Sequence, residues 1–404
     1  MQTSARYQAV FELISEIFKD KMPADILINQ YLRARKYIGA KDRRFICDTT
    51  WDIIRHRMRL SFDAKSDNPR EILLYYLKDE DFDIITGGKY GLEPVSIEEK
   101  KRLSELKDEE VYPLNVECEC PLWLFEKIDC PALVRALNEK ACVDIRANFI
   151  SRNELKNRLK SEGLFFSLMP YAPFGLRSED RLNLNNCVCY QEGLFDIQDE
   201  SSQVAALLCD AKADEKIIDY CAGAGGKSLA MGAYLQNDGL ILCHDVDFHR
   251  MDVIKGRAER LGIKNLKLIK DVEDTDFDRF VIDAPCSGTG TWRRAVDAKF
   301  RLNRERLEEL KRVQLEILET AYRHTKIGGK IIYMTCSVLK DENQDIVDAF
   351  VQKHPDIIFD NHRALWDKKI DSRFVFDSEK YLCFSPLVTQ TDGFFFCMMT
   401  KKGA

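Results

Sequence analysis

Apolar side chains recur at helical spacing along the first sixty residues. The apolar groups begin at Val10, Ile26 and Phe45. Short helical candidates continue to residue 112, and Ser96 with Glu99 has the spacing of a capping box at a helix start. The pattern predicts an all-helical first domain over residues 1–115.

The pattern changes between residues 116 and 198. Alternating apolar and polar residues predict a strand over 143–150, and a helix candidate follows over 152–162. Gly163 is typical of a helix end, and an apolar run at 164–166 predicts the start of another strand. We interpret this stretch as a small α+β module.

From residue 199 onward, strands alternate with helices at the spacing of an open, mostly parallel sheet. The predicted strands are 216–220, 240–245, 266–271, 280–284, 330–335 and 392–398. A long helix is predicted over 304–324. The last domain, residues 199–404, therefore has the α/β fold class.

Length and composition agree with several globular domains. The chain has 404 residues, of which 45% are apolar and 32% are charged, a balance typical of soluble proteins. No apolar run approaches the ~20 residues that span a bilayer, and the N-terminus lacks the uninterrupted apolar core of a signal peptide. We expect a cytoplasmic monomer without membrane contact.

Fourteen cysteines in a chain without a secretion signal are typical of reduced thiols. Two pairs, Cys118-x-Cys120 and Cys187-x-Cys189, raise the question of zinc. Neither pair has a Cys-x-x-Cys arrangement or a histidine at metal-binding spacing. We therefore expect no metal.

Charge is unevenly distributed around a net charge of −6. Residues 1–60 contain 12 Lys and Arg against 7 Asp and Glu, whereas residues 61–120 contain 8 against 16. The total excludes a protein that coats nucleic acid indiscriminately, but a local basic face can bind phosphates. The same surplus is equally compatible with a solvated helical surface.

A glycine-rich turn follows the first predicted strand of the α/β domain. Its sequence is Asp219-Tyr220-Cys221-Ala222-Gly223-Ala224-Gly225-Gly226-Lys227-Ser228. Glycines at this place let the backbone approach a nucleotide-like ligand at the carboxyl edge of the sheet. The end of the turn matches a phosphate-binding P-loop, but Cys221 occupies the position of the first P-loop glycine.

Acidic residues close this strand and the next three. They are Asp219, Asp245, Asp271 and Asp283. Any one of them could be a helix cap, but an acid at the end of the second strand can accept both hydroxyls of a ribose. The repeated pattern favours a site for a nucleoside cofactor.

Two cysteines follow neighbouring predicted strands, Cys286 in Asp283-Ala284-Pro285-Cys286-Ser287 and Cys336 in Thr335-Cys336-Ser337. Both thiols should lie at the same sheet edge as the cofactor turn. A lone cysteine there is usually structural. Cytosine C5, however, is a poor nucleophile, so an enzyme that methylates it must first add a thiolate to C6. A second polar group must later help to remove the C5 proton and release the thiolate, and the paired cysteines with Asp283 can supply these roles.

On these motifs the chain resembles the RsmB/Sun family of S-adenosylmethionine (SAM) dependent RNA 5-methylcytosine methyltransferases, over nearly its whole length. The resemblance implies a Rossmann-like catalytic domain. It implies that Cys336 is the nucleophile, that Cys286 serves product release and that Asp283 steadies the cytosine ring and its N3 proton. The residues it implies for SAM binding are Cys221, Ala222, Gly223, Ala224, Gly225, Gly226, Lys227, Asp245, Asp271 and Asp283.

The resemblance also covers the parts before the catalytic domain. The first domain is similar to the NusB-type helical domain of bacterial members, with Arg43-Arg44-Phe45-Ile46 in the matching place. The α+β module, with Ile145-Arg146-Ala147-Asn148, is similar to the family's RNA-facing connecting module. One departure is Arg293-Arg294-Ala295-Val296-Asp297, where close relatives usually have His-Pro before the Asp. We expect the basic first domain, Arg293 and Arg294 to contact RNA.

These features favour a methyltransferase that acts on a cytosine in structured RNA, with small-subunit (16S) rRNA as the expected substrate. A tRNA cytosine methyltransferase would share every catalytic residue and stays open as an alternative. A DNA cytosine methyltransferase uses the Pro-Cys cysteine and has no need of Cys336. A non-catalytic RNA-binding assembly or regulatory protein has no chemical reason to keep Cys286 and Cys336 together.

Overall fold

The computed structural model of the chain describes residues 1–19, 22–106, 111–180, 182, 184–272, 276–372 and 378–403. These residues fold into two compact units. One unit contains Met1–Glu139 with Thr291–Asn303, and the other contains Lys140–Gly290 with Arg304–Ala404. In the described ranges, no helix is both long enough and apolar enough to cross a membrane.

The helices and strands of the described chain have the following bounds. The helices are α1 (Thr3–Ile17), α2 (Ala24–Ala34), α3 (Ala40–Arg55), α4 (Arg57–Ala64), α5 (Pro69–Tyr76), α6 (Phe82–Ile85), α7 (Ile97–Glu105), α8 (Leu114–Glu117), α9 (Leu122–Ile128), α10 (Pro131–Asn138), α11 (Arg152–Ser161), α12 (Val188–Gln191), α13 (Glu200–Leu208), α14 (Gly226–Tyr234), α15 (Asp252–Leu261), α16 (Ala298–Arg301), α17 (Arg304–His324), α18 (Gln344–Lys353) and α19 (His362–Lys369). The strands are β1 (Val143–Ala147), β2 (Ser167–Leu168), β3 (Gly175–Ser178), β4 (Phe195–Ile197), β5 (Lys216–Asp219), β6 (Leu240–Cys243), β7 (Leu266–Leu268), β8 (Phe277–Asp283), β9 (Thr325–Thr335), β10 (Ile357–Phe359), β11 (Leu382–Phe384) and β12 (Phe394–Lys401).

Helices α1–α10 form the first unit around an apolar core. In α1 the side chains of Val10, Leu13 and Ile14 are fully buried, and their spacing of three and four places them on one face of the helix. The predicted capping box begins α7, where Glu99 N donates to Ser96 Oγ and Ser96 N donates to the Glu99 carboxylate. The all-helical prediction for the start of the chain is confirmed.

The segment Thr291–Asn303, which includes α16, belongs to this helical unit. Val296 is 1% exposed and packs in the apolar core of the unit. The Asp297 carboxylate accepts hydrogen bonds from Ala24 N at 3.0 Å and from Arg301 Nε at 2.7 Å. The sequence pattern placed this segment with the catalytic domain, but these contacts join it to the helices.

The second unit begins with a small antiparallel sheet whose strand order is β2-β3-β1-β4. β1 ends at Ala147, earlier than predicted, because Phe149 adopts a positive φ of 53° that breaks the extended backbone. The strand predicted to begin at 164–166 is present as β2 but begins later, because its pairing with β3 starts at Ser167. Phe166, which precedes it, is buried in the apolar core of this sheet.

The main sheet of the second unit has the strand order β10-β12-β9-β8-β5-β6-β7, with β11 paired to β12. Neighbouring strands from β7 to β9 are parallel, whereas β12 runs antiparallel to β9. The Rossmann-like arrangement is confirmed, and each strand predicted for this domain is present. β7 is shorter than predicted and ends at Leu268.

The carboxyl ends of β6, β5, β8 and β9 meet at one edge of the main sheet, because neighbouring parallel strands end on the same side. The final residues of these strands are Cys243, Asp219, Asp283 and Thr335. The helix α17 connects β8 to β9 with the bounds that the sequence predicts. The turns that follow the four strands are thus neighbours in space.

Candidate active site

The glycine-rich turn between β5 and α14 is fixed by hydrogen bonds at both of its ends. Ala222 N donates to the carbonyl of His244 at 2.8 Å, and Gly225 N donates to the carbonyl of Ala222 at 2.8 Å. Gln198 Nε2 donates to the carbonyl of Gly226 at 3.1 Å. The turn is therefore a preformed part of the sheet edge.

Two glycines of this turn have backbone conformations that other residues avoid. Gly223 has a φ of +52° and Gly225 a φ of +80°. A Cβ on Gly223 would lie 2.9 Å from Arg250 Nη2, and a Cβ on Gly225 would lie 2.8 Å from Ile254 Cγ1. The positive φ therefore favours glycine at both positions, and at Gly225 the packed Ile254 side chain also leaves no space for a Cβ.

Asp245 follows β6, and its carboxylate binds the glycine-rich turn. The residue is 3% exposed. Its Oδ2 accepts a hydrogen bond from Gly223 N at 2.9 Å, and its Oδ1 accepts one from Asp247 N at 3.0 Å. Arg250 Nη1 lies 3.1 Å from Oδ2. The carboxylate is held where an acid at the end of the second strand can accept ribose hydroxyls.

A cavity of about 660 Å³ lies at this edge of the sheet. Its volume is in the range of sites that enclose a ligand of drug or nucleoside size. The lining residues at or after the strand ends are Tyr220, Cys221, Ala222, Gly223, Ala224, Gly226, His244, Asp245, Val246, Arg250, Asp283, Ala284, Pro285, Cys286 and Cys336. The cavity thus joins most of the predicted cofactor residues to both predicted catalytic cysteines.

The two cysteines face each other across the ends of β8 and β9. Their Sγ atoms are 3.5 Å apart, and both residues are partly exposed at the cavity. Gly290 N donates to the carbonyl of Cys336 at 2.9 Å, which binds the turn after Cys286 to the turn that contains Cys336. The structure therefore brings together the pair that the sequence motifs predict.

Cys286 is a weak acid in this setting. Its hydrogen bond with Cys336, its burial and its electrostatic interactions with Cys336 and Glu342 raise the pKa of Cys286 well above the ordinary value. Cys286 therefore retains its proton at neutral pH. The two sulfurs lie within hydrogen-bonding distance of each other.

Lys227 forms an ion pair with Asp283 on the same side of the cavity. Its Nζ donates to Asp283 Oδ2 at 2.7 Å and lies 4.7 Å from the centre of the Phe394 ring. Burial opposes the charge of Lys227, but the ion pair with Asp283 and the other acidic groups nearby together raise the pKa of Lys227. The sequence places Lys227 among the SAM-binding residues, whereas in the structure its ammonium group binds Asp283.

Asp219 lies behind the turn at the end of β5. It is fully buried, and its Oδ2 accepts a hydrogen bond from Ser228 Oγ at 2.5 Å. Burial raises the pKa of Asp219 to about 7. The side chain therefore supports the turn from inside the sheet.

Three predicted site residues lie apart from this group. Asp271 is exposed, follows the end of β7 by three residues and lies outside the lining of the cavity in the described chain. Arg293 and Arg294 belong to the helical unit. Arg293 is 9% exposed, whereas Arg294 is exposed. The RNA contact expected of both arginines stays a prediction.

The sequence patterns missed one wall of the cavity, which α17 supplies. The lining residues of α17 are Arg306, Leu310, Val313, Glu316, Ile317 and Thr320. Their spacing of three and four is that of one helix face, and this face could have been read from the sequence. Tyr220 and His244 were also missed. Their rings stack at 4.4 Å, and both line the cavity.

Glu162, Cys187 and Cys189 form a group of possible metal ligands within the described part of the chain. Their ligand atoms lie within 4.8 Å of one another. The Glu162 carboxylate already accepts hydrogen bonds from Val188 N at 2.7 Å and Cys189 N at 3.0 Å. Burial and Glu162 raise the pKa of Cys189 to about 12. The group is explained as a carboxylate that caps α12, and the absence of a metal stays a prediction.

Comparison with known proteins gives matches in sequence and in structure. Residues 206–400 match the family model described as 16S rRNA methyltransferase RsmB/F. The chain is 31% identical over 318 residues to a probable ribosomal RNA small subunit methyltransferase B of Bacillus subtilis (strain 168), covering 73% of this chain and 69% of the relative. It is 29% identical to ribosomal RNA small subunit methyltransferase B of Cronobacter sakazakii, covering 70% of this chain and 66% of the relative. The matched region thus spans about two thirds of these relatives.

Solved structures share the fold. The crystal structure of PH0851 superposes with a TM-score of 0.78 at 21% identity, covering 99% of this chain and 98% of that one. NSun6 from Pyrococcus horikoshii with SFG superposes with a TM-score of 0.59 at 21% identity, covering 70% of this chain and 96% of that one. These two solved structures therefore share the fold of this chain over the lengths that they cover.

Proposed function

The chain belongs to the RsmB/F family of 16S rRNA methyltransferases, and on that basis we propose that it uses SAM to methylate C5 of a cytosine in small-subunit rRNA. The observation that carries the proposal is the 3.5 Å separation of the Cys286 and Cys336 sulfurs at the wall of a nucleoside-sized cavity. Cytosine C5 methylation requires a thiolate nucleophile with a second group beside it.

The residues around the cavity fit SAM. The turn from Cys221 to Gly226 lines the cavity with backbone, except at Gly225, and Asp245 offers an acceptor for ribose. The structural relative NSun6 from Pyrococcus horikoshii was solved with SFG, a SAM analogue. When bound, SAM supplies an electrophilic methyl group. The steps before and after methyl transfer belong to residues of the chain itself.

Cys336 is the nucleophile in this proposal. Its sulfur adds to C6 of the cytosine, which moves electron density to C5 and makes that carbon reactive toward the methyl group. The hydrogen bond with Cys336 and burial raise the pKa of Cys286. The 3.5 Å contact places the Cys286 S–H beside the attacking sulfur.

Asp283 positions the base. The carboxylate lines the cavity and is held by Lys227 Nζ at 2.7 Å, so it can hold the N3 proton of a cytosine ring that is turned into the site. After methylation the C5 proton must leave before the bond between C6 and Cys336 can break. Water in the cavity takes the C5 proton, the electron pair of that C–H bond re-forms the C5–C6 double bond, and the C6–S bond breaks to release the Cys336 thiolate. We assign to the Cys286 S–H, whose sulfur lies 3.5 Å from that of Cys336, donation of a hydrogen bond to the departing thiolate.

RNA contact beyond the cavity is proposed for Arg294 and for the basic surplus of residues 1–60. Arg294 is exposed, and residues 1–60 carry 12 Lys and Arg against 7 Asp and Glu. Arginine side chains position RNA by binding phosphates, whereas the base is recognised in the pocket.

The proposal is tested by methylating an unmodified 16S rRNA transcript with SAM that carries a labelled methyl group. We expect the label in 5-methylcytidine after digestion to nucleosides and mass spectrometry. A tRNA transcript run in parallel decides the alternative substrate. Label in another nucleoside, or on a ribose, would contradict the proposed chemistry.

A further inference from the structure

Glu342 lies directly behind both cysteine turns. It follows Cys336 in the short 3-10 helix Lys340–Glu342 and is 0% exposed. Its Oε1 accepts a hydrogen bond from Ser287 N at 2.8 Å, and its Oε2 accepts bonds from Ser287 Oγ and, at 2.6 Å, from Ser337 Oγ. Ser287 follows Cys286 and Ser337 follows Cys336. One carboxylate therefore binds the residue after each cysteine.

Gln314 of α17 completes the contact on the Cys286 side. Its Nε2 donates to Glu342 Oε1 at 3.1 Å and to the carbonyl of Pro285 at 3.0 Å. The Gln314 side chain is fully buried. The residues on both sides of Cys286, Pro285 and Ser287, are therefore held by the same pair of side chains.

Asn343 holds the Cys336 side in a similar way. Its Nδ2 donates to the carbonyl of Ser337 at 2.9 Å, and its Oδ1 accepts a hydrogen bond from Thr335 Oγ1 at 2.5 Å. The residues on both sides of Cys336 are thus fixed to Asn343. Of the two consecutive residues, Glu342 is the one that binds both cysteine turns.

We propose that Glu342 is a positioning residue that sets the spacing of the two sulfurs by hydrogen-bonding Ser287 and Ser337 with one carboxylate. The effect of Glu342 on catalysis rests on the proposed cytosine methylation, whereas its effect on the distance between the two sulfurs does not. Reactions between positioned groups are sensitive to distance, and a shift of about 1 Å can reduce a rate by about 100-fold. Loss of this carboxylate should therefore separate the cysteines and slow the reaction.

Two substitutions distinguish hydrogen bonding from the mere presence of the side chain. Glu342→Ala removes every contact of the carboxylate. Glu342→Gln keeps a carbonyl that can accept from Ser287 N and Gln314, and its NH2 group can donate to the hydroxyls of Ser287 and Ser337, which also act as acceptors. Ser337→Ala removes one contact and serves as the milder variant if Glu342→Ala does not fold.

The spacing is measured without RNA, from formation of a disulfide between Cys286 and Cys336. Purified full-length protein is equilibrated with glutathione buffers, in which two protein thiols are oxidised while one glutathione disulfide is reduced to two thiols. After alkylation and trypsin digestion, the peptides 280–293 and 331–340 contain one cysteine each. Mass spectrometry of the linked peptides gives the equilibrium constant.

We expect Glu342→Ala to lower this equilibrium constant by about tenfold or more, and Ser337→Ala by about threefold, because each loosens the pair that forms the bond. Glu342→Gln should stay within about threefold of the native protein. Glu200→Ala is the matched control, because Glu200 is also 0% exposed and accepts hydrogen bonds from Tyr171 N and Ala172 N. It removes a buried carboxylate elsewhere in the same unit and should leave the constant unchanged.

The second measurement is steady-state methylation. Glu342→Ala should lower kcat by about 100-fold and leave the KM for SAM within about twofold, since Glu342 lies outside the cavity lining in the described chain. Glu342→Gln should restore most of kcat. A general loss of stability would affect Glu200→Ala equally.

The positioning role is overturned if Glu342→Ala forms the disulfide as readily as the native protein, or if Glu200→Ala weakens it as much. If the disulfide results follow the expectation but the native protein methylates no cytosine at C5, the positioning role stands and the proposed function fails. The two failures are therefore distinguishable.

Discussion

Replacement of Asp245 by alanine tests the cofactor site most sharply. In the structure this carboxylate binds Gly223 N at 2.9 Å and Asp247 N at 3.0 Å, and it lines the cavity. Asp245→Ala removes the proposed ribose acceptor and at the same time releases the Gly223 end of the glycine-rich turn. Both effects reduce SAM binding, and the second also reduces stability.

The size of the effect follows from these contacts. A hydrogen bond to a buried charged group contributes about 1.5–3 kcal/mol, so the Kd for SAM should rise by about 10- to 150-fold at 1.4 kcal/mol per factor of ten. The abandoned N–H of Gly223 costs a further ~1–3 kcal/mol of unfolding free energy if it stays buried. Asp245→Asn keeps one acceptor oxygen and should fall between the native protein and Asp245→Ala.

Isothermal titration calorimetry with SAM measures the Kd of each variant. Asp271→Ala is the matched control, because the sequence motifs also assign Asp271 to SAM whereas the structure exposes it beyond β7. We expect its Kd to equal that of the native protein. An unchanged Kd for Asp245→Ala, or an equal loss for both variants, would refute the assignment of the site.

Two further predictions concern pH and salt. The pKa of Asp219 is raised to about 7 in the native protein, whereas an aspartate in the unfolded chain loses its proton near pH 4. Between these two pH values the native state binds one more proton than the unfolded state, so stability falls as pH rises from about 4 to 7. Asp219→Asn removes this pH dependence. In urea unfolding, the unfolding free energy of the variant minus that of the native protein should increase by up to about 4 kcal/mol between pH 4 and 7. A difference that stays constant with pH would contradict the buried proton. Arg294→Ala should weaken RNA binding and reduce the slope of log K against log salt concentration by about one, as measured by fluorescence anisotropy. The control Glu308→Ala, on the exposed face of α17, should leave the slope unchanged. An unchanged slope for Arg294→Ala would show that Arg294 does not contact RNA phosphates.

The sequence predicts most of the fold, because the spacing of apolar residues indicates the helices and strands and the motifs mark where strands end. The bounds of α17 and the start of β5 agree with the predicted positions. The errors occur where tertiary contacts decide. The pairing of β2 starts at Ser167 and not at residue 164, and Val296 joins the core of the helical unit. Neither outcome is visible in local spacing, because spacing does not show which strand or core an apolar residue packs against.

The candidate site, like the fold, could be predicted only in part from the sequence. Its cysteines and glycine turn follow from motifs at strand ends, and the topology then brings Cys286 and Cys336 to 3.5 Å. The partner of Lys227 could not be predicted, because a lysine in a cofactor motif does not specify which anion it binds. Glu342 was missed for a related reason. A glutamate in a turn usually faces solvent, and only the packing of three segments buries it behind both cysteine turns.

The most direct test of the central claim is the covalent link between protein and RNA. Substrate RNA labelled at its end is incubated with SAM and each cysteine variant, and products are separated on a denaturing gel. If Cys336 attacks C6 and Cys286 assists release, Cys286→Ala should accumulate a protein–RNA band, while Cys336→Ala and the double variant should form none. A band that accumulates with Cys336→Ala and is absent with Cys286→Ala would contradict the account, because it would make Cys286 the nucleophile.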